Sequence, residues 1–369
     1  MRVGLSGFEG DCQRQREIVA IRVPAYGELL GQVMIHVEKV ARWLEPAWRE
    51  RAFAVWYERP LLLLASLRYD ALREGAAHPL HRALVKGELS EEISLASLEL
   101  ALAPERRALH DVLAQRAVQT NETSRGVVWL LPASLLAQVA PGASLALADL
   151  GASAGLNLAA DGLPSIWSTG DGAPLSFGSP AGSSAESASS ALPPIVARWG
   201  FDLSPLNVDR PEDARWLEAC VWPGEHERLT RLSSALSAFR VLARSASPPR
   251  LFTASAVDMP PLLGELARAQ APDTFVLAYQ TIVRDYLSQE DRERYVAGMR
   301  AFLAARPRAL WVELEGMPGV GDLNLAFSLT VHTHEESYEL ARTGPHPRVL
   351  RLDAQRLAAL GQRLSLQAS

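Results

Sequence analysis

Cysteine, lysine and long apolar runs are all scarce in this chain of 369 residues, and each scarcity closes off a class of protein. The two cysteines, Cys12 and Cys220, stand far apart and in no C-x-x-C spacing. They offer neither a disulfide framework nor a zinc signature, and they suit a reducing cytoplasm. Lys39 and Lys86 are the only lysines among 37 basic residues, set against 42 acidic ones for a net charge of −5. No Lys/Arg block stands out, so no general nucleic-acid binding is expected, although a local basic groove stays open. The apolar run at 61–64 is far too short to span a bilayer, and the opening MRVGLSGFEGDCQRQRE lacks the apolar centre of a signal peptide. The expectation is a cytoplasmic protein with no membrane partner. Its length and 48% hydrophobic content suit two domains, or one large domain with an extension.

The pattern changes near residue 140. Between residues 25 and 140 apolar side chains recur three and four apart, as at Leu29, Val33, Val37, Val40 and Leu44. We read 1–140 as a helical N-terminal domain of five or six helices that caps the remainder of the chain. Over 141–369 short apolar runs alternate with helical stretches, which argues for a mostly parallel sheet. The strand candidates are 145–149, a run from 195 that ends in the acid Asp202 and a turn, 251–254, 275–279, 310–315, 325–332 and 348–352. The last two, joined through 335–347, suggest an antiparallel hairpin at the edge. Residues 168–193 are rich in Ser, Ala and Gly and read as a flexible insertion.

The stretch at 145–157, LALADLGASAGLN, organises the chain. An apolar run ends at Asp149, breaks at Gly151-x-Ser153-x-Gly155, and resumes as an apolar segment from Leu156. Strand, tight turn and helix is the order of a first βα unit, in which small residues let a ligand approach the backbone.

Over roughly Leu145 to Leu352 the chain resembles the class I S-adenosylmethionine (SAM)-dependent methyltransferases. Asp149-Leu150-Gly151-x-Ser153-x-Gly155 is similar to their first motif, with Ser153 where glycine is commoner. Gly200-Phe201-Asp202-Leu203-Ser204-Pro205 resembles their second, and 275–279 followed by Tyr286-Leu287-Ser288 resembles their fourth strand and its helix. The resemblance implies a Rossmann-like seven-stranded sheet in an α/β domain, with SAM as cofactor and a small-molecule acceptor. It implies cofactor contacts from Asp149, Gly151, Ser153, Gly155 and Asn157, ribose contacts from Asp202, and an adenine-side contact from Ser255. Ser255 stands where the family often carries an acid; Asp258 comes three residues later. Methyl transfer needs in-line geometry more than a special acid or base. Tyr279 and Gln280, after the fourth strand, would lie nearest the methyl group. Glu313 and Glu315, on one strand face by two-residue alternation, could orient or deprotonate an acceptor, or mark a solvated strand end.

The polar cluster at 119–125 has two readings. Thr120 or Asn121 can cap a helix, with Glu122 in its first turn. Alternatively Glu122 joins the catalytic side chains, and Gln119, Asn121 and Arg125 face the substrate. The whole chain also resembles a bacterial family of unknown function, through Gln119–Glu122, Asp149–Asn157, Gly200–Val208 and Trp216–Pro223; that resemblance implies no reaction.

Two other classes stay open. Gly151-x-Ser153-x-Gly155 is also the nucleophile-elbow spacing of α/β-hydrolases, with Asp285 and His332 or His334 coming later in triad order. A non-catalytic binding protein on a methyltransferase fold is the other. His332-x-His334, and His78 with His81, lack further ligands at metal spacing, so no metal is expected.

Overall fold

Apolar residues three and four apart form the helices of the N-terminal part. The computed structural model describes residues 2–3, 5–89, 92–119, 122–177 and 192–368. It is a mixed α/β structure with a helical N-terminal part and one large, mostly parallel sheet. The chain forms two units: residues 1–120 with 207–230, and residues 121–206 with 231–369. No helix among the described residues is long and apolar enough to cross a membrane.

The first unit holds α1 (Phe8–Val19), α2 (Pro24–Ile35), α3 (Val37–Trp48), α4 (Glu58–Glu74), α5 (Leu95–Ala101) and α6 (Arg107–Gln115), then α8 (Pro211–Ala219) when the chain returns. A two-residue ladder pairs β1 (Arg2–Val3) with β2 (Ala52–Phe53). Trp48 of α3 is fully buried, lies edge-on to Phe8 and Phe53, and donates its indole N–H to the Leu113 carbonyl at 3.1 Å. Beneath it Arg59 of α4 reaches the Asp11 carboxylate of α1, its Nε donating to Oδ2 at 2.9 Å, and both side chains are fully buried. Trp216 of α8 faces Tyr69 and donates to the Ala117 carbonyl at 3.0 Å.

The second unit opens with α7 (Val127–Val139). This helix is apolar on nearly every side, as a buried helix must be, and it packs in the sheet's core although its sequence reads as the last N-terminal helix. The strands are β3 (Leu145–Leu150), β4 (Trp167–Thr169), β5 (Pro174–Leu175), β6 (Ile195–Asp202), β7 (Arg250–Thr253), β8 (Phe275–Thr281), β9 (Ala309–Gly316), β10 (Phe327–His332), β11 (Ser337–Thr343) and β12 (Val349–Leu352). They lie in the order β5-β4-β12-β11-β10-β9-β8-β3-β6-β7. Helix α9 (His226–Leu242) precedes β7, α10 (Met259–Arg268) and α11 (Gln289–Ala305) flank β8, and α12 (Ala354–Ala368) ends the chain.

Two-residue alternation sends Leu145, Leu147, Tyr279, Val312 and Val331 to the face covered by α7 and α12. It sends Ala146, Ala148, Ala278 and Trp311 to the face covered by α10 and α11. The parallel strands β7-β6-β3-β8-β9 run outward in both directions from β3, so the winding reverses between β3 and β8.

The sheet has ten strands where seven were expected. Residues 335–347, read as a connection, contain β11, which pairs with both β10 and β12. The segment read as a flexible insertion at 168–193 begins with the β4–β5 hairpin, which adds two strands at the far edge; residues 178–191 lie outside the described residues.

Candidate functional site

The reversal point holds the glycine-rich turn. Gly151, Ser153 and Gly155 all adopt left-handed backbone, with φ of 91°, 54° and 73°. A Cβ on Gly151 would stand 2.7 Å from Val283 Cγ2, and one on Gly155 2.9 Å from Leu251 Cδ2, so conformation and space both demand glycine there. The turn is stitched to the end of β6. The N–H groups of Gly151 and Ala152 donate to the Phe201 carbonyl at 2.8 and 2.9 Å, and the Ser153 N–H donates to Asp202 Oδ2 at 2.7 Å. The segment beyond is a 3₁₀ helix, Leu156–Gly162, in place of the expected α-helix.

Asp202 thus performs the turn chemistry that carboxylates at strand ends commonly perform. Its second oxygen accepts the Ser204 N–H at 2.9 Å. Each carboxylate oxygen keeps a further lone pair, so the half-buried group still has capacity for outside donors. Asp149 sits on the neighbouring strand and is buried. Burial pushes its carboxyl up to about 7; the adjacent Tyr279 hydroxyl lowers it in part and the Asp202 charge adds to the rise. Tyr279 is level with Asp149 in the ladder, and its hydroxyl is buried without a partner at full hydrogen-bond geometry. The Asn157 carbonyl accepts the Trp129 indole N–H at 2.8 Å, while its side-chain oxygen is buried and unpartnered. Ser255 gives its hydroxyl to the Asp258 carboxylate, and its carbonyl accepts the first N–H of α10 at 3.1 Å.

Tyr279 and Gln280 point to opposite faces of the sheet. Tyr279 shares the α7 face with Asp149, whereas Gln280 is fully buried on the α11 face. The Gln280 amide donates to Glu315 Oε1 at 2.6 Å, and its oxygen accepts from the Tyr295 hydroxyl and, at 3.1 Å, from the Trp311 indole. Its role in the structure is internal. Glu122 is buried, takes the Ser124 N–H at 3.1 Å, and pairs with Arg231 at 3.2 Å and His346 at 3.3 Å. Arg125 is buried beside it and donates to the Pro345 carbonyl at 3.1 Å. The structure therefore gathers Glu122 and Arg125 around the β11–β12 loop. Gln119 belongs to the first unit, where its backbone meets the Cys220 thiol, and Asn121 lies outside the described residues.

A second polar group was only half legible from sequence. Glu315 accepts three donors on Oε1: the Gln280 amide, the Val283 N–H at 3.0 Å and the Arg284 N–H at 3.4 Å. The loop it holds begins at Ile282, a β-branched residue at φ 58°, a conformation such residues avoid. That loop also carries Val283, which lies against Gly151. Burial raises the Glu315 carboxyl to about 7, against the opposing pull of its donors. Glu315→Ala is expected to cost about 1–3 kcal/mol. It should also speed amide exchange at Val283 and Arg284 selectively, as hydrogen-exchange mass spectrometry would read. Nothing in the sequence pairs Arg284 or Val283 with residue 315, because strand register sets that contact.

Glu313 accepts from Arg284 and lies 2.7 Å from His332 Nε2. His334 meets Glu335 at 3.1 Å and Arg363 at 3.2 Å, so each histidine is engaged away from Asp285, which is exposed. Among the described residues no group of three or more His, Cys, Asp or Glu side chains stands together as a metal site.

No curated protein matches the chain. The model of the family described as "Uncharacterized protein conserved in bacteria (DUF2332)" matches residues 14–351, and the chain belongs to that family.

Proposed function

We propose that the second unit binds SAM and that the protein transfers a methyl group to a small-molecule acceptor. One observation carries this reading. The Asp149–Gly155 turn and Asp202, far apart in sequence, meet through the Ser153 N–H at the point where the parallel strands reverse. Open parallel sheets bind ligands outside the carboxyl ends of the strands at such a point. Our reading assigns the five strands β7-β6-β3-β8-β9 to the Rossmann-like core of a methyltransferase-type domain, with β10 to β12 as its antiparallel extension.

The donor set fits the cofactor. Gly151 and Gly155 supply the left-handed backbone that closes the turn at the strand ends, and Asp202 retains lone pairs for ribose hydroxyls. Asp149, poised at about 7, offers a carboxylate that an ammonium group would bring into its charged form. Bound SAM supplies an electrophilic methyl group. The chain's part is to hold it and to exclude water, for which the apolar α7 face around Tyr279 is suited. Glu122 and Arg125 are our candidates for the acceptor side.

The test is calorimetric titration with SAM and S-adenosylhomocysteine. Binding is expected, and Asp202→Ala is expected to weaken it about tenfold to a hundredfold while the protein stays folded by circular dichroism. Absence of heat and of any melting shift with both ligands at millimolar concentration overturns the reading.

A further inference from the structure

On the α11 face of the sheet, away from the face that Asp149 and Tyr279 share, three side chains from three adjacent strands form a continuous chain of contacts. Glu313 of β9 meets His332 Nε2 of β10 at 2.7 Å, and His332 Nδ1 meets Ser337 Oγ of β11 at 2.6 Å. Strand register fixes all three: His332 pairs with Ser337 on one side and with Trp311 on the other, and Thr330 pairs with Glu313. Exposure falls along the chain. Ser337 is exposed, the His332 side chain is 20% exposed and that of Glu313 is 5% exposed.

We propose that Ser337, His332 and Glu313 form an acyl-transfer centre for small carboxylic esters, separate from the cofactor site. An accessible hydroxyl, a partly covered imidazole and a buried carboxylate are the parts that activate a serine nucleophile. The imidazole here presents Nδ1 to the serine and Nε2 to the acid, the reverse of the protease arrangement. The chemistry requires only that one nitrogen receive the serine proton while the other keeps its N–H on the carboxylate. Two further observations mark the cluster as more than a polar ladder. Glu313 Oε1 is buried and carries no hydrogen bond, a cost that adds nothing to the fold. The Trp311 ring lies 4.6 Å from the His332 ring at 34°, placed to stabilise the imidazolium that forms during attack.

Ser337 Oγ bonds to the ester's carbonyl carbon as its proton passes to His332 Nδ1. The carbon–oxygen bond to the leaving alcohol then breaks, and the alcohol takes that proton. Water attacks the acyl-serine by the same route, releasing the carboxylic acid and restoring Ser337. Ester and water are the only reactants, and Arg284, which contacts the same Glu313 oxygen as His332, holds the acid in place.

The experiment is labelling of the full-length protein with a fluorophosphonate probe, with SAM absent, and then peptide mass mapping. The label is expected on Ser337. Ser337→Ala, an exposed and structurally mild change, should abolish it, His332→Ala should slow it about a hundredfold, and Ser328→Ala should leave it unchanged. An unlabelled protein, a label on Ser153, a label that survives Ser337→Ala, or a rate indifferent to His332 each overturns the proposal. The readout needs no cofactor, so it fails or succeeds independently of the methyltransferase reading.

Discussion

Asp149→Asn is expected to stabilise the protein at pH 8 and to abolish SAM binding in the same stroke. The Asp149 carboxyl is buried and its pKa rises from 3.8 to about 7. A carboxyl whose folded pKa lies above its unfolded value keeps its proton on folding, so it erodes stability as pH climbs from about 4 to about 7. Above that window the folded protein holds a buried charge. The rise of about three units corresponds to about 4 kcal/mol. Asparagine has nearly the same shape and no charge to bury, so the variant's advantage should open near pH 4, widen, and level off above pH 7. Glu315 titrates toward the same upper limit and stays in both proteins, so the variant keeps part of the slope. Urea midpoints measured from pH 4 to 9 on both proteins give the answer. Parallel pH curves would count against a buried, proton-holding Asp149. A destabilising acid at the strand tip is the kind of cost retained for ligand binding, and calorimetry on the same samples tests that half of the expectation.

Much of the fold was legible because it rests on local rules. The glycine-rich turn announced itself: positions 151 and 155 adopt left-handed backbone, and glycine spacing is how a sequence records that need. The strands that read cleanly, such as β3 and β8, are buried over nearly their whole length. β11 was hidden by its own irregularity. The β10–β11 register shifts between Leu329 and Thr330, so Leu340 and Ala341 are both buried and the two-residue alternation breaks in the middle of the strand. What sequence could not supply were contacts set by register and by distant elements. Alternation separates Tyr279 from Gln280, but nothing local says that Tyr295 and Trp311 converge on the Gln280 amide. Asp202 shows the same limit from the other side. A strand-end acid with Ser204 two residues on suits both a turn and a ribose, and the structure adds that the turn it secures is the glycine-rich one.

The loop at 282–284 ties these features together. Ile282 holds a disfavoured conformation, Glu315 supplies the acceptor that secures the next two N–H groups, and Val283 rests against the position where Gly151 has no side chain. Strain of this kind persists only where surrounding contacts over-determine it. Here the contacts are a carboxylate on one side and the glycine-rich turn on the other, so the turn's geometry depends on β9 as well as on β3.

The helical unit has its own critical contact, and Asp11→Ala is expected to cost about 3–5 kcal/mol. Asp11 and Arg59 are both fully buried, and the guanidinium contacts the carboxylate through Nε at 2.9 Å and through a second nitrogen. Arg14 adds a contact of 2.5 Å to the other oxygen. Removing the acid leaves the Arg59 charge in the interior without the carboxylate that compensates it, which is worse than having no ion pair at all. Asp11→Leu combined with Arg59→Met should therefore recover most of the loss, since apolar side chains of similar volume replace buried pairs at little net cost. Chemical denaturation of the single and double variants forms the cycle. Equal destabilisation in all of them would mean that packing around Phe8 and Trp48, not charge compensation, makes the site sensitive. Because every residue in our cofactor proposal belongs to the other unit, Asp11→Ala held well below its melting temperature should bind SAM with unchanged affinity. A loss of binding in folded protein would show that the cofactor site depends on the helical unit.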